Sequence, residues 1–429
     1  MVQLNGLMVL FLAAFVASSL AHAALKGLNI RHLRRHGGEV PEVFRGEIDG
    51  ETLARISRYT LDSSRFGTVE KLFDEALTLA VLLGGLLPWL LGRLPAWEEH
   101  FILTGLLFFG ILAFASGLAG LPFDLYRTFV IERRHGFSTI TLRLWIVDLL
   151  KGLAVSAVLM GVLLTAFLAL LRFAPRSWWF WTWVVFATFQ VLMIWLYPIV
   201  IAPLFNRFEP VPDEELKGAI VALMAKVGLK TEGVYQVDAG KRSRHTNAYF
   251  TGLGKTKRIV LFDTLIASHT AEEIIAVLAH EIGHWKKRHI LKQLLFMEAA
   301  SLAVLWIVAH LTAWPLLTET FGFTRPVPFA GVLLSAVLLG PLTILITPAL
   351  SAIQRRFERE ADAFVYGLTG STAPLVSALK RLARDNLANL HPHPLYARFY
   401  YSHPPLAERI ARLQALEARG TEESRVMNP

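Results

Sequence analysis

Seven stretches of this chain are long and apolar enough to cross a bilayer, and that feature limits its folds more than any other. A membrane-crossing helix needs about 20 mostly apolar residues. The stretches run roughly over 6–28, 73–93, 101–122, 146–171, 178–203, 291–312 and 327–350. A lipid interior leaves backbone groups no water to bond, so each stretch is expected to be a helix. The first could be read as a cleaved signal peptide, because Ala21-His22-Ala23 resembles a cleavage site. The residues before it carry no positive charge, whereas Lys26, Arg31, Arg34 and Arg35 follow it. That order is the reverse of a signal peptide, so the stretch reads as a span.

Charge sets the orientation. With the N-terminus outside, the outer loops hold only Arg93, Arg172, Arg176 and Arg325. The two short inner loops, 29–72 and 123–145, hold twelve Lys and Arg between them. This bias puts 204–290 and the tail from 351 on the cytoplasmic side. The net charge of +9 then follows from cytoplasmic loops. Nucleic acid is not expected as a partner, because the basic residues are spread over several loops rather than gathered on one face. The tryptophans at 178, 179, 181 and 183 start the fifth span at its outer edge, where an aromatic belt is expected. Asp148 and Lys151 are expected to pair near an interface, and Glu298 to face a polar space inside the bundle.

Segment 204–290 is not membrane-like. Residues 212–228 read as an amphipathic helix, and short strands are expected over 233–237, 247–251 and 258–262. Thr270 and Glu273 form a capping box. The helix it opens is expected to run to about His289, and it contains His280-Glu281-Ile282-Gly283-His284. Four residues is just over one turn, so His280 and His284 project from one face. Two imidazoles there can hold one zinc, and Glu281 can serve a water bound to it as general base. With 14 histidines in the chain, chance produces this pattern about 0.03 times.

The chain has no cysteine. Disulfides, iron–sulfur clusters and thiolate-bound zinc are therefore excluded. A catalytic zinc usually keeps three protein ligands. The best source of a third is the acidic run after the last span, where spacing leaves Glu358 and Glu360 as near equals. Asp362 lies four residues beyond Glu358, on the same helix face, and can orient an imidazole N–H. A metal transporter is disfavoured, because both histidines fall in a soluble insert rather than at the bilayer midplane.

Several segments together resemble a known family. They are LPFDLYRTFVIERRHGFST (121–139), IAPLFNRFEPVPDEEL (201–216), HTNAYFTGLG (245–254), VLAHEIGHWKKRH (277–289), RRFEREADAFVYGL (355–368) and YSHPPLAERI (401–410). They are similar to the integral-membrane CAAX prenyl protease (type I) zinc metallopeptidases. The related heat-shock-type membrane metalloproteases share the zinc motifs but lack the 121–139 and 201–216 segments.

The resemblance implies a mainly α polytopic membrane protein: seven transmembrane helices around a water-filled chamber, closed by a small α+β zincin-like domain. The expected parts are 1–203 (five spans), 204–290 (the zincin insert), 291–350 (spans six and seven) and 351–429 (the rest of the catalytic domain). The resemblance implies one zinc held by His280, His284 and Glu358, with Glu281 catalytic and Asp362 behind the ligands. Asn247 resembles the active-site asparagine on the strand beside the substrate backbone. His403 resembles the histidine that stabilises the tetrahedral intermediate.

The expected substrate is a peptide or protein, either a prenylated CAAX tail or a faulty membrane protein cleared in quality control. Eukaryotic members tend to have a longer insert before the glutamate-ligand helix and an endoplasmic-reticulum retrieval tail. Here loop 313–326 is short and the end, from Glu423 to Pro429, has no dilysine. The expectation is therefore a bacterial inner membrane rather than the endoplasmic reticulum.

Overall fold

A computed structural model describes residues 1–229, 233–251 and 258–427. The end of the 245–254 motif and the last two residues lie outside the described residues. The membrane part begins with α1 (Gly6–His36), α2 (Gly50–Leu83), α3 (Phe101–Tyr126), α4 (Leu142–Phe173) and α5 (Trp178–Leu196). The insert follows with β1 (Phe208–Pro210), α6 (Glu214–Lys226), β2 (Gly233–Val237), β3 (Ala248–Thr251), β4 (Arg258–Phe262) and α7 (Ala271–Lys286). The chain then continues through α8 (His289–Thr312), α9 (Pro328–Leu339), α10 (Thr343–Thr369), α11 (Ala373–Asp385), α12 (Pro394–Tyr400) and α13 (Leu406–Met427). Shorter helices are left unlabelled.

Six helices among the described residues are long and apolar enough to cross a membrane. The expected span over 73–93 is built differently. It is the C-terminal part of α2, whose final turns still carry Glu70, Lys71, Asp74 and Glu75. A break at Gly84 and Gly85 follows, with Gly85 left-handed, and then a short helix, Leu86–Leu91. The apolar run is thus shared between two helices, and neither alone is both long and uncharged. The last predicted span is also interrupted, by a tight turn at Gly340–Leu342. From there α10 runs unbroken past residue 350 into the acidic segment, so one rigid rod links the membrane to Glu358.

Two separate apolar cores explain the shape. One sits at the end of the membrane helices away from the insert and includes Phe11, Phe108, Trp178, Phe321 and Phe329. Trp178 is therefore packed inside this plug instead of facing lipid. The other core lies in the insert, where Ile259, Leu261, Leu278 and Ile282 meet Phe44 and Ile56 from the loop and helix that follow α1. Between the cores the walls are thin. Only 6% of the apolar window is buried in α4 and in α8. A solid bundle buries the facing stripe of every helix. These helices instead touch their neighbours along narrow seams.

The sheet has the order β1-β2-β4-β3. β2 and β4 are parallel, and β1 and β3 are antiparallel edge strands. Asp148 does not pair with Lys151. It takes two hydrogen bonds from Arg242, at 2.7 and 2.9 Å, while Lys151 donates to the Leu204 carbonyl. Burial beside the insert offers Asp148 a guanidinium fork, a better partner than an exposed amine. Glu298 is bound by the neighbouring helix α5: Gln190 donates to its carboxylate and Trp183 to its backbone carbonyl.

Candidate metal centre

Helix α7 begins at the expected capping box. The Thr270 hydroxyl accepts from Glu273 N–H, and the Glu273 carboxylate accepts from Thr270 N–H. The helix ends sooner than expected, at Lys286. Arg288 takes a left-handed conformation (φ 56°) and redirects the chain into α8. The turn leaves His289 buried beside the HEIGH face.

Against α7 lies α10. A Cβ on Gly283 would sit 3.0 Å from Ala361 Cα and 3.1 Å from its carbonyl oxygen. The absent side chain at 283 is what lets the two helices cross this closely. The crossing brings Glu358 to the histidines. His284 Nε2 is 3.2 Å from His280 Nε2. Glu358 Oε1 is 3.1 Å from His284 Nε2, and its Oε2 is 3.4 Å from His280 Nε2. Donors bound to one tetrahedral ion at about 2.0–2.1 Å are separated by roughly 3.3 Å. Glu358 Oε2 is also buried without a hydrogen bond. Two imidazoles, one carboxylate and an orphaned carboxylate oxygen fit a metal ion. His280, His284 and Glu358 are the one group among the described residues whose ligand atoms converge in this way.

The surrounding residues hold this set in place. Asp362 Oδ1 is 2.9 Å from His280 Nδ1. Arg409, from α13, clamps Asp362 with two hydrogen bonds of 2.7 and 2.8 Å. Arg409 is buried, and the Asp362 and Glu358 carboxylates hold its pKa above the ordinary value despite desolvation. Sequence reasoning missed Arg409. Its position six residues after His403 in the YSHPPLAERI segment was the only signal, and spacing there says nothing of burial.

His289 Nδ1 lies 3.1 Å from His284 Nδ1, and its Nε2 lies 3.1 Å from Glu360. Its ring stacks on Phe357 at 4.3 Å. Glu360 is therefore engaged by His289, and Glu358 alone of the two faces His280 and His284.

The electrostatics suit a cation. Burial and the neighbouring Arg409 push the His280 pKa down, yet hydrogen bonds to Asp362 and Glu358 outweigh them and raise it. Burial lifts the Glu281 carboxyl above the ordinary range, while His280 and His284 partly oppose the rise. His403 Nε2 stands 3.2 Å from Glu358 Oε1, and Ser402 Oγ is 2.9 Å from its Nδ1. Its side chain is 60% exposed, so one side of the ring is open. Protein crowds the rest, and that burial lowers its pKa against the pull of Glu358. Asn247 is exposed and immediately precedes the edge strand β3, where its side chain accepts from Ala248 N–H. The structure thus gathers His280, His284, Glu358, Asp362 and His403 by direct contact. It leaves Asn247 at the head of the open strand edge.

Comparisons with known proteins agree with this layout. Residues 29–207 match the family described as CAAX prenyl protease N-terminal, five membrane helices. Residues 210–417 match peptidase family M48. CAAX prenyl protease 1 of Saccharomyces cerevisiae is 35% identical over 87% of this chain and 88% of its own length. The Arabidopsis thaliana homologue is 36% identical over 86% and 89%. The human homologue is 30% identical over 90% and 91%. The crystal structure of S. mikatae Ste24p superposes with a TM-score of 0.89 at 32% identity, covering 96% of this chain and all of that one. These relatives are eukaryotic, so they lend no support to the expected bacterial inner membrane.

Proposed function

The chain belongs to peptidase family M48 as a multi-pass membrane metalloendopeptidase of the CAAX prenyl protease type, and from that premise we propose that His280, His284 and Glu358 hold one catalytic zinc, with Glu281 as general base. The observation that carries this reading is the convergence of those three side chains around one point. Zinc supplies an acidified water and a polarised carbonyl at such a site.

The chain's own residues supply the rest. Glu281, with its pKa raised by burial, takes a proton from the attacking water and returns it to the leaving amine. His403 donates an N–H to the oxyanion that develops on the scissile carbonyl. An extended peptide pairs with the free edge of β3, and Asn247 at its head fixes the peptide's register. Asp362, held by Arg409, fixes the ring and tautomer of His280.

We place the catalytic part on the cytoplasmic side, on the strength of the Lys and Arg excess in the inner loops. The substrate we propose is a prenylated CAAX tail, the class that the relatives' names state.

The test uses purified full-length protein. A chelator should abolish peptide hydrolysis, and zinc should restore it. Glu281→Gln should keep the metal and lose hydrolysis by several orders of magnitude; full activity with zinc bound would remove Glu281 as the base. A farnesylated CAAX peptide should be cut faster than its unprenylated twin. Equal rates would set aside prenyl recognition in favour of membrane quality control.

A further inference from the structure

Four histidines outside the catalytic centre meet at the cytoplasmic end of α1. His32 and His36 lie four residues apart on the last turns of that helix, with ring centres 4.5 Å apart. His393, more than 350 residues away in sequence, brings its ring centre to 5.4 Å from His32. His391 stacks near His36 at 6.5 Å. Two imidazoles bound to one tetrahedral ion place their ring centres roughly 5 Å apart. The catalytic pair His280 and His284 stands at 4.8 Å, close to the first two separations, but the nitrogens of the four rings do not meet at one point as the catalytic set does, so an ion here requires the rings to turn toward it.

We propose that His32, His36 and His393, completed by His391, bind a second divalent transition-metal ion. The hydrogen bonds leave lone pairs for it. His391 Nε2 donates to the Glu39 carbonyl at 2.6 Å, which leaves Nδ1 as an acceptor and orients the ring, as carbonyls commonly do for ligating histidines. The His36 carbonyl accepts Glu39 N–H, while among the described residues the His32 and His36 ring nitrogens take part in ring contacts only. His393 currently caps α12 by accepting Leu395 N–H at Nδ1, at 3.2 Å. When Nε2 takes the metal, its proton passes to Nδ1 and Leu395 N–H turns to water. Segment 391–393 needs little further ordering, because Asn29 on α1 already accepts His393 N–H at 2.9 Å. A ligand set made of imidazoles selects a nitrogen-preferring ion such as zinc, nickel or copper over calcium or magnesium. Bound there, the ion ties the first span to α12, the helix that leads to Ser402 and His403.

The experiment is metal stoichiometry on the untagged full-length chain in detergent. The chain is stripped with chelator, re-equilibrated with zinc chloride and desalted before elemental analysis. Wild type should hold two zinc ions, and His32→Gln/His36→Gln one. His393→Asn, which keeps a capping side chain, should also fall below two. Retained peptidase activity in His32→Gln/His36→Gln shows that the variant is folded. One ion in wild type, or two in His32→Gln/His36→Gln, overturns the proposal. His280→Ala/His284→Ala separates the two sites. Loss of an ion there supports the catalytic assignment, and retention of both refutes that assignment while leaving the second site standing.

Discussion

Arg409 is the residue outside the proposed ligand set whose removal should most disturb the site, because it also lies 3.1 Å from the His280 ring. It is buried, and its guanidinium grips both oxygens of Asp362, which in turn holds His280. A lysine keeps the charge and loses the fork. Arg409→Lys is expected to weaken metal binding about 10- to 100-fold, the usual effect of losing an orienting partner, as read by competition with a chelator of known affinity. The choice between Glu358 and Glu360 belongs to the same scale. Two carboxylates two residues apart look alike in sequence, and what separates them is His289, which occupies Glu360. That partner lies 71 residues away, so no local pattern could name it.

Among the elements, the pair of α7 and α10 decides the geometry. Gly283 has Ala361 backbone within 3.1 Å of where a Cβ would stand, and backbone cannot move aside as a flexible side chain can. Gly283→Val should push the helices apart and cost about 1–3 kcal/mol of stability, as overpacking does. Metal content should fall with it, measurable on the same sample by elemental analysis. The N-terminus of α7 offers a milder perturbation. Thr270→Ala removes one half of the capping box and should cost about 1 kcal/mol. Its metal content should stay normal, because the histidines lie more than two turns further along. The capping box and the strands of the insert were legible from sequence, since local hydroxyl, carboxylate and β-branched patterns produce them. The end of α7 was not, because nothing before the fold exists marks Arg288 as the left-handed residue.

At the scale of the whole molecule, a joint ties the membrane part to the insert. His245 approaches Glu132 at 3.4 Å and Asn386 at 3.0 Å, and its ring stacks on Phe137 at 4.0 Å. Burial lowers its pKa, but the hydrogen bonds to Glu132 and Asn386 outweigh this and leave it above the ordinary 6.5. A raised folded-state pKa stabilises fully below the unfolded value, and that contribution is lost as pH rises through the folded one. The thermal midpoint of wild type minus that of His245→Gln should therefore be largest below about pH 6.5 and shrink as the pH is raised above it. A difference that grows with pH would show that the joint does not rest on the imidazolium.

The amino-acid order alone determined that this chain crosses a membrane several times and that a metal must be held without thiolates. Those properties follow from runs of composition and from one-turn spacing, which are local. The convergence of Glu358 on His280 and His284, the buried arginine behind it and the meeting of four histidines from the two ends of the chain were decided only by the tertiary structure. Each depends on helices far apart in sequence crossing at a few ångströms, and long-range packing sets those crossings.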